Sequence, residues 1–305
     1  MTAGNLGFFN RAALPAAAAR TALIELAPGG AAVPAWSLTH GELDKRMERV
    51  AAGLAAAGLG PGDRLLVATG NGIAFVECLF GAMRLGVQPV PLNTALAAET
   101  IAHIVADADI DAVVADLAEV PRLAEVDLPA RRWALGTPPP GWAAYAALLD
   151  HGTAYPVFAP PPDTPAFVAY TSGSGGRPKG VLLGHAGLLW SIGLAERLAP
   201  LPADACAVAA TPLYHKNAMR GVIKPYLRAG ATAVILKRFD PRQFVTALAE
   251  HGATFTSGVP AIFARALLER DLIERLAFPR LAAVAIGSAV VTDALAEAVE
   301  RAFDT

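Results

Sequence analysis

Short apolar runs alternate with segments of helical periodicity along most of this 305-residue sequence. In the first half, apolar runs at 64–68, 87–92 and 111–115 are separated by segments in which apolar residues recur at helical spacing. The second half repeats the pattern, with extended segments at 206–210, 231–236, 254–256 and 281–286. Such alternation is typical of parallel strands joined by crossover helices. The sequence therefore predicts an α/β fold of largely parallel sheets covered by helices.

Capping residues mark several helix starts. Thr39 and Glu42 have the spacing of a capping box, and the apolar residues after them fall on one helical face, namely Leu43, Met47, Val50 and Leu54. Asp240 is followed by a proline, which is typical of a helix start, and Thr292 precedes the last helical segment. Asn71 is expected to cap the helix that follows the 64–68 strand.

A cluster of prolines interrupts the pattern near the middle of the chain. Five prolines fall between residues 156 and 165, and such clusters break regular structure. We therefore predict two α/β subdomains, over 1–162 and 163–305. Residues 1–36 are rich in alanine, with glycine and proline, and the two phenylalanines at 8 and 9 predict a short opening helix there.

Composition excludes several classes of protein. With 54% hydrophobic and 17% charged residues the chain is globular, and a net charge of -2 gives no electrostatic reason to bind nucleic acid. Cys78 and Cys206 lie in separate apolar runs and are expected to be buried thiols, and the histidines show no ligand spacing, so no metal site is predicted. Without a visible signal peptide or membrane span, a cytoplasmic location is expected.

A loop of small residues connects two apolar runs at 170–180, which reads YTSGSGGRPKG. Glycines let backbone N–H groups approach a polyanion, hydroxyls add donors, and Lys179 adds a positive charge. The loop differs from a Walker A motif, because Pro178 precedes the lysine and Gly180 follows it. It also lacks the helix that follows a dinucleotide fingerprint. A triphosphate suits such a loop.

Four polar or glycine-rich breaks follow extended segments in the second half, at 171–179, 212–217, 258–260 and 287–289. In open parallel sheets, ligands bind beyond the carboxyl ends of the strands. The four breaks therefore predict one composite pocket.

The stretch YTSGSGGRPKGVLLGHAGL, beginning at Tyr170, resembles the phosphate-binding signature of the adenylate-forming enzymes, which include acyl-CoA synthetases, luciferases and peptide-synthetase adenylation domains. The resemblance extends from about residue 38 to the end and implies the fold of the family's large N-terminal domain. One position departs from the signature, because the family usually has threonine where this chain has Gly175. The missing hydroxyl normally helps to hold the phosphates.

The resemblance implies roles for individual residues. His215, in the segment Pro212 to His215, is expected to act at the acyl site, and Lys179 at the phosphates; both are implied to be catalytic. The nucleotide is implied to contact Thr171, Ser172, Gly173, Ser174, Gly175, Gly176, Lys179, Gly287, Ser288 and Ala289. The acyl substrate is implied to contact Tyr214, His215, Met219, Val259 and Gly287. Lys216, Arg220 and Lys224 are expected to form a solvated helix face; the alternative is a contact with a second negative charge on the substrate.

The implied reaction has two steps. A carboxylic acid reacts with ATP to give an acyl-adenylate and pyrophosphate, and the thiol of coenzyme A then displaces AMP. Mg²⁺ is expected to offset the charge of ATP. The alternatives are an adenylation domain that loads a carrier protein, a non-catalytic acyl- or nucleotide-binding module, and, more distantly, a Rossmann oxidoreductase. Oligomeric state is left open, with a homodimer as one alternative.

The family's later motifs are absent from the sequence. A Tyr-Gly-x-Thr-Glu stretch with a Mg²⁺-binding glutamate, an aspartate that holds the ribose and the lysine of a small C-terminal domain are not found in the 305 residues. The chain is therefore expected to be an N-terminal fragment, lacking the end of the large domain and the small domain, with weak or no catalysis by itself.

Overall fold

The computed structural model describes residues 4–171 and 177–305. These residues form two compact units, and each unit is assembled from separate stretches of the chain. The first unit comprises residues 1–9, 43–70 and 74–194, and the second comprises residues 10–42, 71–73 and 195–305. The two units are described separately below.

The strands of the described chain are short, as is usual in α/β proteins. In chain order they are β1 (Thr21–Leu26), β2 (Pro34–Thr39), β3 (Arg64–Ala68), β4 (Gln88–Pro91), β5 (Ala112–Ala115), β6 (Arg131–Ala134), β7 (Ala143–Ala144), β8 (Pro165–Thr171), β9 (Lys179–Gly184), β10 (Cys206–Ala209), β11 (Thr232–Ile235), β12 (Phe255–Gly258) and β13 (Ala283–Ile286).

Helices occupy most of the segments between these strands. They are α1 (Leu14–Ala17), α2 (His40–Ala56), α3 (Ile73–Leu85), α4 (Ala98–Asp107), α5 (Ala146–Leu149), α6 (His185–Leu198), α7 (Lys216–Ala218), α8 (Lys224–Ala229), α9 (Pro241–Glu250), α10 (Pro260–Ala266), α11 (Arg270–Arg275) and α12 (Asp293–Phe303). Leu6–Ala12 and Pro121–Glu125 are 3-10 helices, and Met219–Ile223 is a π-helical turn between α7 and α8.

The first unit contains a parallel sheet and a separate hairpin. The sheet has the order β4-β3-β5-β6-β7 with every neighbouring pair parallel, whereas β8 and β9 form an antiparallel pair. Alternate residues of β3 and β5 contribute to a buried core with α4, and Val168 of β8 belongs to that core. The hairpin is thereby fixed to the first unit.

The second unit is built on one six-stranded sheet with the order β13-β12-β10-β11-β1-β2. The five strands from β13 to β1 are parallel, and β2 returns antiparallel to β1. One face of this sheet packs against α9, α10 and α12 through a core that includes Phe244, Phe263 and Phe303. The prediction of largely parallel sheets covered by helices is confirmed.

Local signals in the sequence identified three helix starts correctly, at Thr39, Asp240 and Thr292. Glu42 accepts a 2.8 Å hydrogen bond from the backbone N–H of Thr39, and the Thr39 hydroxyl accepts one of 3.2 Å from the N–H of Glu42. The predicted caps Asp240 and Thr292 accept hydrogen bonds from the backbone N–H groups of Gln243 and Leu295. These three predictions are confirmed.

The opening segment contains two strands that were not predicted from the sequence. Phe8 and Phe9 do lie in a short buried helical segment, but the following residues form the β1 and β2 hairpin. Because β1 pairs with β11, residues 10–42 join the second unit. The compact units therefore differ from the consecutive subdomains 1–162 and 163–305, since long-range strand pairing and not the proline cluster decides where contacts divide.

Among residues 4–171 and 177–305, no helix combines the length and the apolar character that a membrane crossing needs.

Candidate functional site

The predicted phosphate loop connects the two strands of the hairpin. Thr171 ends β8 and pairs with Lys179, which begins β9, and both residues are exposed. Ser172, Gly173, Ser174, Gly175 and Gly176 lie outside the described residues. The predicted strands on either side of the loop are confirmed, and they pair antiparallel. The loop therefore connects the two strands of a hairpin. The prediction of one composite pocket had placed this loop at the end of a parallel strand, like the other three breaks, and that placement is wrong.

Helix α4 anchors both arms of this hairpin at the base of the loop. The hydroxyl of Tyr170 donates a 2.5 Å hydrogen bond to Asp107 Oδ2, and His103 Nε2 lies 3.2 Å from the carbonyl oxygen of Pro178. Burial and the bond to Asp107 raise the pKa of Tyr170, so that its hydroxyl stays a donor. A Cβ at Gly180 would lie 3.2 Å from the Tyr170 ring, and the glycine therefore gives the ring room.

A surface pocket of about 400 Å³ lies beside these anchors. Its lining residues come from α4 and from the end of the loop, namely His103, Asp107, Arg177, Pro178, Lys179 and Gly180. Arg177 and Lys179 are exposed cations. The base of the loop can therefore attract an anion, although Asp107 places a carboxylate at the same edge.

Three of the four predicted stretches meet in the second unit. They follow β10, β12 and β13, which are parallel neighbours in one sheet, so their carboxyl ends lie at the same edge. The backbone N–H of Gly287 donates a 3.1 Å hydrogen bond to the carbonyl oxygen of Gly258. The turn at 287–289 is thus joined directly to the end of β12.

The turn after β13 has the features of a backbone surface that could face a ligand. A Cβ built on Gly287 meets nothing within 4 Å. Ser288 has a φ of 65°, a left-handed conformation that few residues other than glycine adopt. Ser288 and Ala289 are exposed. Strained backbone of this kind is frequent where a fold holds a functional turn.

Tyr214 and His215 lie side by side in the turn after β10. Their ring centroids are 4.6 Å apart, and the N–H of His215 donates to the carbonyl oxygen of Pro212. Partial desolvation lowers the pKa of His215 and raises the pKa of Tyr214. At neutral pH both side chains are therefore uncharged, and the exposed His215 imidazole can donate a hydrogen bond from one ring nitrogen and accept one at the other.

Asn71 holds this turn in place, a role that sequence reasoning did not identify. Its amide donates to the carbonyl oxygens of Thr211 and Leu236 at 3.1 and 3.0 Å, and its Oδ1 accepts a 2.7 Å bond from the N–H of Leu213. Asn71 does not cap α3 as expected. The N–H of Ile73 donates instead to Glu25 Oε2, at 2.9 Å.

The predicted acyl-contact residues Met219 and Val259 are both near the same strand ends. Met219 is buried in the π-helical turn, and Val259 packs against the core of the second unit directly after β12. Two polar residues of these segments contact each other, namely Asn217, which ends the predicted 212–217 stretch, and Ser257, which the sequence did not single out. Ser257 Oγ donates a 2.8 Å hydrogen bond to Asn217 Oδ1. A polar residue just before the Gly258 break was the signal that could have identified Ser257.

The three basic residues after His215 do not share one environment. Lys216 and Arg220 are exposed, as a solvated helix face requires, but Lys224 is buried. Desolvation, together with the charge of Arg220, lowers the pKa of Lys224 to about 8. The expectation of a solvated face is therefore wrong for Lys224, because the π-helical turn changes the helical phase before it. In the described part of the chain, no cluster of His, Cys, Asp or Glu could hold a metal ion.

Comparisons with known proteins identify relatives of this chain. A feruloyl-CoA synthase of Amycolatopsis is 34% identical over 227 residues, which are 74% of this chain and 44% of that protein. An indoleacetate–CoA ligase of Aromatoleum aromaticum is 30% identical over 283 residues, 90% of this chain and 55% of that protein. The chain thus spans about half the length of these curated relatives.

The fold matches that of solved enzymes as well. The crystal structure of an anthranilate CoA ligase in complex with anthranoyl-AMP superposes with a TM-score of 0.88 at 19% identity, covering 99% of this chain and 58% of that one. A family model described as AMP-binding enzyme matches residues 12–305. Taken with the hairpin loop and the strand-end turns, this match shows that the chain belongs to the AMP-binding enzyme family, the adenylate-forming enzymes that its sequence resembles.

Proposed function

We propose that this chain supplies phosphate- and acid-binding residues for AMP-forming ligation of a carboxylic acid to a thiol. The observation that carries the proposal is the family match over residues 12–305, which includes both the 170–180 loop and the turns after β10, β12 and β13. In the proposed reaction, a carboxylate oxygen attacks the α-phosphorus of ATP, the bond to the β-phosphate breaks, and pyrophosphate leaves.

On the phosphate side, the loop residues Thr171 to Gly176 and Lys179 would hold the polyphosphate. The hairpin arms are fixed to α4 through Tyr170 and His103, so the loop closes between two ends of defined position. Its glycines permit close approach of backbone N–H groups, and Lys179 adds a positive charge. Mg²⁺ is proposed to offset the remaining charge of ATP, and the described residues contain no cluster of His, Cys, Asp or Glu to assign to it.

On the acid side, His215 would orient the carboxylate. A neutral imidazole can donate one hydrogen bond to a carboxylate oxygen, and the lowered pKa of His215 favours the neutral form at pH 7. Gly287, Ser288 and Ala289 would present backbone to the adenylate, since the Cβ direction of Gly287 is open. Tyr214, Met219 and Val259 would contact the acyl group.

The acid is best sought among aromatic and arylalkanoic acids, because the relatives described above are named for feruloyl and indoleacetate substrates. In the second step, the sulfur of coenzyme A attacks the carbonyl carbon of the acyl-adenylate. A C–S bond forms, AMP leaves, and the thiol loses its proton. A carrier-protein thiol is the alternative acceptor.

A calorimetric comparison of two ligands tests the proposal. The ligands are a non-hydrolysable feruloyl sulfamoyl-adenosine and AMP. We expect His215→Ala to weaken binding of the acyl mimic by about tenfold, equivalent to about 1.4 kcal/mol for one lost hydrogen bond, and to leave AMP binding within about twofold. His151→Ala, an exposed histidine in the first unit, is the matched control. Equal losses for both ligands, or no binding of the mimic by the unaltered chain, would refute the assigned role.

A further inference from the structure

Another cavity of the first unit lies between the end of β5 and the start of β7 in the sequence. Its volume is about 330 Å³, and cavities that bind small molecules begin at about 300 Å³. It shares no described residue with the surface pocket at Asp107 and Lys179 beside the phosphate loop. The cavity is therefore a separate place where a small ligand could bind.

The wall of this cavity is mostly apolar. Leu123, Val126 and Leu128 are buried and belong to the core of the first unit, and Leu117 packs against that core. A ligand with a hydrocarbon body would lose its contact with water against such a wall, which favours binding.

Arg132 is the one charged side chain among the described residues that line the cavity. It pairs in β6 with Val113 of β5, whose side chain belongs to the core, so Arg132 is on the core side of the sheet. Its guanidinium carbon lies 5.8 Å from the centroid of the Trp142 ring, which also lines the cavity. This is a cation–π contact. The cavity thus combines a cation with an aromatic and aliphatic wall.

The guanidinium of Arg132 has no acceptor in the described part of the chain. Its Nε is buried without a hydrogen-bond partner, and over residues 4–171 and 177–305 none of its nitrogens takes part in a hydrogen bond or an ion pair. A guanidinium can only donate hydrogen bonds, and removing a cation from water is costly unless a partner compensates for the lost hydration. An anionic group in the cavity would supply that partner.

We propose that this cavity is an accessory binding site for a small organic acid with an apolar body. The carboxylate accepts hydrogen bonds from the terminal N–H groups of Arg132, and the hydrocarbon part packs against Trp142 and Leu128. Paired N–H···O bonds from one guanidinium match a carboxylate and are strong, because both partners are charged. An amide of the same shape lacks the negative charge and binds more weakly. The site does not rest on the proposed function, since no residue assigned to ATP or to the acyl group lines this cavity.

The indole N–H signals in nuclear magnetic resonance spectra test the site, because Trp142 lines the cavity. The chain has four tryptophans, and the Trp142 signal is identified by its loss in Trp142→Phe. The probes are 3-phenylpropionate and 3-phenylpropanamide, which share an apolar body and differ in charge. We expect titration with either probe to shift the Trp142 signal, and the acid to bind about tenfold more tightly than the amide.

Two variants in β6 separate the role of Arg132 from a general effect of charge. Arg132→Met keeps an apolar stem and removes the cation, so the affinities for acid and amide should become equal to within about twofold. Arg131→Met is the matched control, because Arg131 is exposed and successive side chains of a strand point to opposite faces. It should keep the preference for the acid.

Urea unfolding without ligand checks whether Arg132 instead supports the fold. The midpoint for Arg132→Met should stay close to that of the unaltered chain, because the guanidinium has no hydrogen bond to lose within the described residues. A large fall in this midpoint would overturn the accessory site, because Arg132 would then be a structural residue. Equal affinity of the unaltered chain for acid and amide, a preference that survives Arg132→Met, or a Trp142 signal that does not move at millimolar acid would overturn it as well.

Discussion

The N–H of Leu213 lies 2.7 Å from the side-chain oxygen of Asn71, which is 142 positions earlier in the chain. The same amide donates to the carbonyl oxygens of Thr211 and Leu236. One side chain thus satisfies three buried backbone groups at the ends of two neighbouring strands. Because the turn that it fixes leads directly to Tyr214 and His215, the geometry of the proposed acid site depends on a residue outside it.

Replacing Asn71 by alanine should therefore destabilise the second unit. Three buried backbone groups would lose their partner, and an unsatisfied buried group costs about 1 to 3 kcal/mol. We expect a decrease of about 2 to 4 kcal/mol in the free energy of unfolding, measured in urea. Asn93→Ala is the control, because Asn93 accepts one exposed hydrogen bond from Ala95; its loss should be under about 1 kcal/mol. Equal losses in the two variants would contradict the assigned role of Asn71.

The ion pair between Arg46 and Glu77 in the first unit is a second place where a substitution should strongly lower stability. Arg46 Nε lies 2.5 Å from Glu77 Oε2, and the Glu77 side chain has no exposed surface. Tyr145 also donates to Glu77, at 2.7 Å. Removing one partner of such a pair leaves a buried charge and typically costs about 3 to 5 kcal/mol.

We expect Arg46→Met to lower the unfolding free energy by that amount, about 3 to 5 kcal/mol, in urea titrations at pH 7. Arg49→Met is the matched control on the same helix, because Arg49 is exposed; the expected change is within about 0.5 kcal/mol. A small effect of Arg46→Met would mean that water or a neighbouring group stabilises Glu77 and that the pair contributes little.

The stability of the folded chain should depend on pH because of the buried imidazole of His185. The N–H of Leu6 donates a 3.0 Å hydrogen bond to His185 Nδ1, which must be unprotonated to accept it. Burial lowers the pKa of His185 to about 4 from 6.5. The folded state therefore binds this proton less readily than the unfolded state. The resulting stability is fully present above pH 6.5 and is lost as the pH falls from 6.5 toward 4.

The loss from this single group should reach at most about 3 kcal/mol. His185→Gln keeps an oxygen acceptor for the Leu6 N–H but does not titrate. Urea unfolding at pH 7, 6, 5 and 4.5 should show the unaltered chain losing stability more steeply than the variant. Parallel pH profiles would show that His185 does not carry the effect, because the acidic side chains are common to both proteins.

The hairpin that bears the phosphate loop should respond to its anchor on α4. We expect Tyr170→Phe and Asp107→Ala each to lower the unfolding free energy by about 1 kcal/mol, because the bond between them is exposed to solvent. In the double variant the losses should not add, since both substitutions break the same bond. Fully additive losses would contradict a direct energetic coupling between these two side chains.

Much of this architecture follows from local patterns in the sequence. The strand and helix alternation predicts the parallel sheets, and caps such as Thr39 and Asp240 lie where their hydrogen bonds require them. Local patterns fail where long-range pairing decides the outcome. The β1 and β2 hairpin exists because β1 pairs with β11, more than 200 positions away. No local signal shows this pairing.

In the candidate site, too, local patterns predict some features and long-range contacts decide the others. The loop and the turns after β10, β12 and β13 are visible as breaks after apolar runs. The side chains that support them are not, because Asn71, Ser257 and Asn217 contact partners between 40 and 165 positions distant. The burial of Lys224 could not be predicted from the sequence either, because a single π-helical turn changes the helical phase between Lys216 and Lys224.

Binding of an acyl-adenylate mimic to the 305-residue chain is the measurement that tests the proposed function most directly. Calorimetric titration with feruloyl sulfamoyl-adenosine should show saturable binding at a stoichiometry of one. We expect a Ser172→Ala, Lys179→Ala double variant to weaken binding at least about tenfold, because a hydroxyl donor and a positive charge near the anionic group are removed. Lys45→Ala, an exposed lysine on α2, should have no effect. Unchanged affinity in the double variant would contradict the assignment of the 170–180 loop to the nucleotide.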